Sequence, residues 1–164
     1  MTENPASILS AKVCADIDRW ITRYPVEQKR SGVMQALMFA QEENNGWLTP
    51  ELMDAVADYL DMPRIAVYEV ASFYTMYNLE PVGRHVIHVC TNISCMLNGA
   101  EDILAHIKQR LQIELNETTT DGKFTLKEAE CLAACVSAPM FQINKKYYEH
   151  LNQDKVDTIL NELE

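Results

Sequence analysis

HVIHVCTNISC, residues 85–95, decides how this chain is read. From His85 to Cys90 apolar side chains fall on both faces, the pattern of a strand inside a sheet. Cys90 closes that strand. Cys95 follows after four intervening residues, in a loop before an amphipathic helix over 99–112 (GAEDILAHIKQRLQ) that turns Ile103, Leu104, Ile107 and Leu111 inward. Both thiols are thereby placed beside a helix N-terminus, where free N–H groups and the helix dipole favour anionic sulfur.

A second pair, Cys131 and Cys135, encloses three residues, and 35 residues separate the two pairs. Thiolates are soft, negative ligands, and four of them suit zinc or an iron–sulfur cluster. Zinc knuckles mostly put two residues between paired cysteines, which neither pair does. A 2Fe-2S cluster is wider than one zinc ion, and longer loops can wrap it and aim backbone N–H groups at its sulfurs. The plant-type C-x4-C-x2-C pattern is excluded, because Asn98 stands where its third cysteine would be. A thiol–disulfide enzyme would need a C-x-x-C pair, which is absent here.

Downstream, Asp121-Gly122 between Thr118–Thr120 and Lys123–Leu126 signals a hairpin. Phe141-Gln142-Ile143 is a short strand after Pro139, and Asn152 caps a last helix carrying Val156, Ile159, Leu160 and Leu163. The order strand, helix, hairpin strands, strand, helix suits a small α/β sandwich of the thioredoxin type. In it Cys131 follows a strand ending near Glu130, and Cys135 lies in the loop before Pro139. Two loops at one sheet edge can bring all four cysteines together.

Upstream the pattern is helical. Val13, Cys14, Ile17, Trp20 and Ile21 make one apolar stripe over 7–22, which reads Cys14 as a core thiol rather than a ligand. Val33, Met34, Leu37 and Met38 make a second stripe that ends at Asn45-Gly46. Thr49-Pro50-Glu51 reads as N-cap, N1 proline and early acid of a third helix, with Leu52, Val56, Tyr59 and Leu60 inward. A fourth helix is expected from Pro63 to about Tyr77, with Ile65, Val70 and Tyr74 buried. Glu80-Pro81-Val82-Gly83 breaks the pattern. The fold class is therefore α+β: an N-terminal helical bundle over residues 1–80, then a thioredoxin-like α/β domain over 81–164.

Five cysteines among 164 residues, without a basic, apolar leader in MTENPASILS, point to a reducing compartment and to ligand roles rather than disulfides. A formal net charge of −10 disfavours nucleic acid and anionic membrane surfaces as partners. No apolar run reaches membrane-spanning length. The expectation is a cytoplasmic protein with no direct membrane insertion.

Several segments carry a family resemblance: EVASFYTMY (69–77), PVGRHVIHVCTNISC (81–95), TTTDGKFTLKEAECLAAC (118–135), SAPM (137–140) and GWLTPELMDAVADYL (46–60). Together they resemble the 24-kDa-type subunit of bacterial NADH-quinone oxidoreductase, respiratory complex I, a thioredoxin-like 2Fe-2S ferredoxin. The resemblance implies Cys90, Cys95, Cys131 and Cys135 as cluster ligands, and no catalytic residue or independent activity on this chain. It implies that the cluster exchanges single electrons with the FMN of an NADH-oxidising flavoprotein subunit, beside the main electron route to quinone. NADH and FMN are expected on that partner, in keeping with the lack of a GxGxxG or phosphate-binding loop here. The other peripheral-arm subunits are further expected partners, and the chain is expected at the cytoplasmic face of the membrane through the complex. Equivalent subunits of NAD-reducing hydrogenases and NAD-linked formate dehydrogenases share the motif, and a zinc-binding interaction module is the remaining alternative.

One departure stands out. The family usually reads C-L-G-x-C at the second pair, and this chain has Ala133 in place of that glycine. Alanine costs little there unless φ is positive. Other residues receive plain readings: His88 as a strand histidine bonded to solvent or backbone, Glu128 and Glu130 as solvated strand-edge charges, and Phe73, Tyr74 and Tyr77 as packing. Pro139 is the candidate for a cis peptide.

Overall fold

The computed structural model describes residues 8–163. The chain forms two compact units, Met1–Pro81 and Val82–Glu164.

Among the described residues, the first unit holds four α-helices: α1 (Ala11–Ile21), α2 (Val33–Glu43), α3 (Pro50–Leu60) and α4 (Arg64–Phe73). Residue 7, where the expected first helix begins, lies outside the described residues. The helix starts at Ala11 because Ser10 caps it, its hydroxyl accepting the Val13 N–H at 3.2 Å. Thr49 does the same for α3, taking the Leu52 N–H at 3.2 Å, with Pro50 in the first turn. Val13, Ile17, Leu37, Ala40, Leu48, Val56, Leu60 and Val67 form a continuous core. Cys14 is half-buried against it. A 3-10 segment, Val26–Gly32, joins α1 to α2 without an apolar stripe that would announce it.

The fourth helix differs from expectation. It stops at Phe73, since Tyr74 turns to extended backbone (ψ 118°). Its buried positions are Val67 and Ala71, one turn apart, with Val70 partly buried. Ile65 precedes Val67 by two residues, which is over half a turn around the helix, and it is 68% exposed. Phe73 is 78% exposed and stacks edge-on with Tyr74, so it is not core packing. Tyr77 is buried as expected, and its hydroxyl donates to the Met34 carbonyl at 2.7 Å.

The second unit is built on one sheet of four strands: β1 (His85–Cys90), β2 (Phe124–Ala129), β3 (Phe141–Ile143) and β4 (Lys146–Tyr148), in the order β2-β1-β3-β4. β1 runs inside the sheet, as its apolar pattern demands. It is parallel to β2, with His85 opposite Phe124 and Cys90 opposite Ala129, and antiparallel to β3, with Val89 opposite Phe141. Between β1 and β2 lie a short helix, α5 (Ile93–Leu97), and α6 (Ala100–Leu111); α7 (Gln153–Leu163) ends the chain. Asn152 caps α7 by accepting the Lys155 N–H at 2.8 Å. Alternation along the strands sends Ile87, Val89, Phe124, Leu126, Phe141 and Ile143 into a core with Ile103 and Ile107 of α6 and Val156, Ile159 and Leu160 of α7.

The expected hairpin is present only in part. The chain does turn at Asp121-Gly122, with Gly122 at φ +68° and its N–H donating to the Thr119 carbonyl at 2.8 Å. Before the turn, however, only Thr118 forms a bridge, to Thr125, and β2 takes its main partner from β1. β4 joins β3 through Asn144, at φ +53°, a turn that no sequence signal announces.

Gly83 enters this sheet under a close constraint. A Cβ there would lie 2.9 Å from backbone atoms of Lys123 and Phe124, while the Gly83 N–H donates to the Thr125 hydroxyl at 2.6 Å. Gly83→Ala is therefore expected to destabilise the chain by about 1–3 kcal/mol, the usual range for overpacking. Chemical denaturation measures it, and an unchanged midpoint would show that the backbone yields freely.

Candidate iron–sulfur site

Parallel pairing of β1 with β2 makes both strands end at the same edge, so the chain leaves Cys90 and Ala129 side by side. The segment before β3 returns to that edge, where the Cys90 N–H donates to the Met140 carbonyl at 3.2 Å. Three segments thus meet at the carboxyl ends of the parallel strands, the position where open α/β sheets commonly place ligands. Cross-links hold them together. The Thr91 N–H donates to the Ala129 carbonyl at 3.2 Å, the Thr91 hydroxyl to Glu128 at 2.5 Å, and the Asn92 side-chain amide to the Glu130 carbonyl at 2.8 Å.

Cys90 and Cys95 are buried, 3% and 1% exposed, in a small cluster with Ala100 and Met140. Leu132, Ala134 and Ala138, from the segment that carries Cys131 and Cys135, pack against this cluster. Cys95 sits inside α5, whose start is capped by Asn92, and not in the loop expected from sequence. Burial pushes the Cys95 thiol up to about 11, and the hydrogen-bonded Cys90 thiol adds to the shift. A backbone hydrogen bond from Met140 pulls the other way, and Cys135 lies close enough to contribute through its charge. A metal bound at Cys95 must therefore displace a proton that the thiol holds firmly.

Cys131 and Cys135 are exposed. Cys135 opens a short 3-10 turn, Cys135–Ser137, and the Ala138–Pro139 peptide that follows is cis, as the sequence suggested. The Ala133 N–H donates to Cys131 Sγ at 3.4 Å. Ala133 itself stands at φ +58°, the left-handed region, so this is the case in which alanine does carry a cost. Ala133→Gly is expected to stabilise the chain by about 0.5–1 kcal/mol, the relief of strain less the added freedom of the unfolded glycine. A thermal melt measures it, and a lowered midpoint would count against the strain.

The donor set fits a 2Fe-2S group. Four thiols arrive as two pairs, and backbone N–H groups of Ala133 and Met140 point at two of their sulfurs. Among the described residues no three His, Cys, Asp or Glu side chains close on a single point.

His88 lies two residues before Cys90 on the same strand face, opposite Lys127 and Gln142. Its Nδ1 is buried without a hydrogen-bond partner among the described residues. Burial, with Lys127 adding to it, lowers its pKa. Glu128 and Glu130 are exposed, as expected, but both are tied to the 91–92 segment by the contacts above. Cys14 belongs to the helical unit. Cys14→Ala is expected to leave any visible spectrum of the purified protein unchanged.

Comparison with known proteins places these features. Residues 17–164 match the family model for thioredoxin-like 2Fe-2S ferredoxins. The E subunit of NADH-quinone oxidoreductase from Rickettsia conorii is 49% identical over 88% of this chain and 86% of its own length, and that from Rickettsia bellii is 48% identical over 87% and 86%. The mitochondrial NADH dehydrogenase flavoprotein 2 of Dictyostelium discoideum is 40% identical over 90% of this chain and 60% of its own length. Among solved structures, the air-oxidised NAD+-reducing NiFe-hydrogenase matches 77% of this chain at 19% identity with a TM-score of 0.67. The chain spans about a fifth of that hydrogenase chain, 22%, and the likeness is one of fold. The chain belongs to the thioredoxin-like 2Fe-2S ferredoxin family.

Proposed function

We propose that the chain is the electron-transfer subunit of an NADH-quinone oxidoreductase, holding a 2Fe-2S cluster on Cys90, Cys95, Cys131 and Cys135. The observation that carries this reading is the meeting of two cysteine-bearing segments at one sheet edge in a chain nearly half identical to E subunits of that enzyme. A 2Fe-2S cluster, when bound, takes up and returns one electron at a time. The protein's own part is to set how readily it does so. The N–H groups of Ala133 and Met140 offset negative charge on sulfur and raise the potential, while burial around Cys90 and Cys95 and the acids Glu128 and Glu130 lower it.

Electrons must arrive from outside the chain. NADH and FMN belong, in this reading, to a flavoprotein subunit docked against the cluster edge, with the other peripheral-arm subunits beyond. Apolar residues flank both cysteine segments on the surface: Ile93, Met96 and Leu97 beside Cys95, and Val136, 96% exposed, beside Cys135. Exposed apolar groups around a redox group support a covering partner. No helix among the described residues is long and apolar enough to cross a membrane, so the chain would reach the cytoplasmic membrane face through the complex.

The test is direct. Freshly purified protein is expected to be red-brown, with iron and sulfide in equal amounts and a paramagnetic signal after dithionite reduction. A colourless protein with stoichiometric zinc would overturn the reading. Capture of the native partners separates the respiratory complex from an NAD-reducing hydrogenase or an NAD-linked formate dehydrogenase, whose large subunit would then be recovered.

A further inference from the structure

The two cysteine pairs are not equivalent in exposure. Cys90 and Cys95 are 3% and 1% exposed, within hydrogen-bond reach of each other, and packed against Met140 and Ala100. One ends a strand fixed on both sides, and the other sits in a capped helix. Cys131 and Cys135 are exposed, on a segment whose regular structure is a three-residue turn at Cys135. Leu132, Ala134 and Ala138, from that exposed segment, form part of the lid over the buried pair. Cys90 and Cys95 are therefore the less accessible pair.

We infer that this chain receives a preassembled 2Fe-2S cluster through Cys131 and Cys135, and that Cys90 and Cys95 close on it second. The inference rests on the ligand set proposed above and adds an order of binding. The chemistry is ligand exchange at iron. A donor carries the cluster on four exchangeable thiolates, such as glutathione. Each Fe–S bond to the donor breaks as an Fe–S bond to a cysteine forms, and the proton of the incoming thiol passes to the departing thiolate. Iron keeps its oxidation states, and no reductant or oxidant takes part. The same lid residues then fold back over the occupied site.

The cluster-free full chain, in the Cys14→Ala background, tests this against glutathione-ligated 2Fe-2S cluster in stopped flow. Joint Cys131→Ser and Cys135→Ser replacement is expected to slow the bimolecular capture phase at least about tenfold, since exchange follows thiol access. Joint Cys90→Ser and Cys95→Ser replacement is expected to slow that phase far less, but to lose the captured cluster on desalting. Equal slowing by the two, or the reverse order, would overturn the inference. Mass-mapped iodoacetamide labelling of the unsubstituted chain gives a second reading that needs no variant to fold. Cys131 and Cys135 are expected to react at least about tenfold faster than Cys90 and Cys95, and a chain blocked at those two to take up no cluster. Equal labelling rates, or uptake by the blocked chain, would also overturn it. If the unsubstituted chain takes up no cluster at all, the ligand assignment fails instead.

Discussion

Cys131→Ala protein is expected to emerge from purification without the visible absorption of a 2Fe-2S cluster. Its iron would be left with one protein thiolate where two are needed. Loss of an outer-shell partner already costs metal sites roughly 10–100-fold in affinity, and loss of a ligand exceeds that. Cys131 makes the clearest case of the four because it is exposed. Its removal takes nothing out of the core, so the cluster-free variant should melt within about 0.5 kcal/mol of the cluster-free parent. Bleaching with an unchanged apo melt isolates the ligand role. Retention of full colour in Cys131→Ala, together with bleaching in Cys14→Ala, would refute the assignment.

The second large effect lies in packing. Phe141 is fully buried in β3, opposite Val89 of β1 and 5.5 Å from the Tyr148 ring. Phe141→Ala is expected to cost about 3–5 kcal/mol, as large aromatic truncations in closed cores do. Domains of this size have only about 5–15 kcal/mol of stability, so a large part of it would go. The preceding residue, Met140, bonds Cys90 through its backbone, so the cluster should also become easier to strip with a chelator. Urea denaturation measures the first effect and timed chelation the second. A loss under about 1 kcal/mol would mean that the cavity collapses.

Much of this architecture is legible in the residues alone. The central strand declares itself through apolar residues on both faces, and two helix starts through Thr49-Pro50 and Asn152. The cysteine pairs fall at strand ends because strand ends are where loops begin. The departures have physical causes. Ile65 is apolar and so suggests the core of α4, but periodicity alone does not say which of two stripes faces inward, and Val67 with Ala71 wins. Ala71 is too small to stand out in a pattern. The helix α5 is five residues long, below the length at which periodicity carries information. The Asp121-Gly122 turn is present, yet a local signal does not show that β2 prefers a distant parallel partner. The positive φ at Ala133 is invisible in the residue itself, and only the glycine usual in the family hints at it.

The pairing of β1 with β2 has one more consequence. Cys90 lies on the face of its strand opposite to Ile87 and Val89, and that parity is set by matching His85 to Phe124. A slip of a single position would swap the two sets, presenting a branched hydrocarbon to iron and burying sulfur under α6 and α7. On the proposed ligand set, the metal chemistry is thereby keyed to the zipper of backbone bonds beneath it. Substitutions deep in β2, remote from any thiol, belong among the lesions that would leave such a protein colourless.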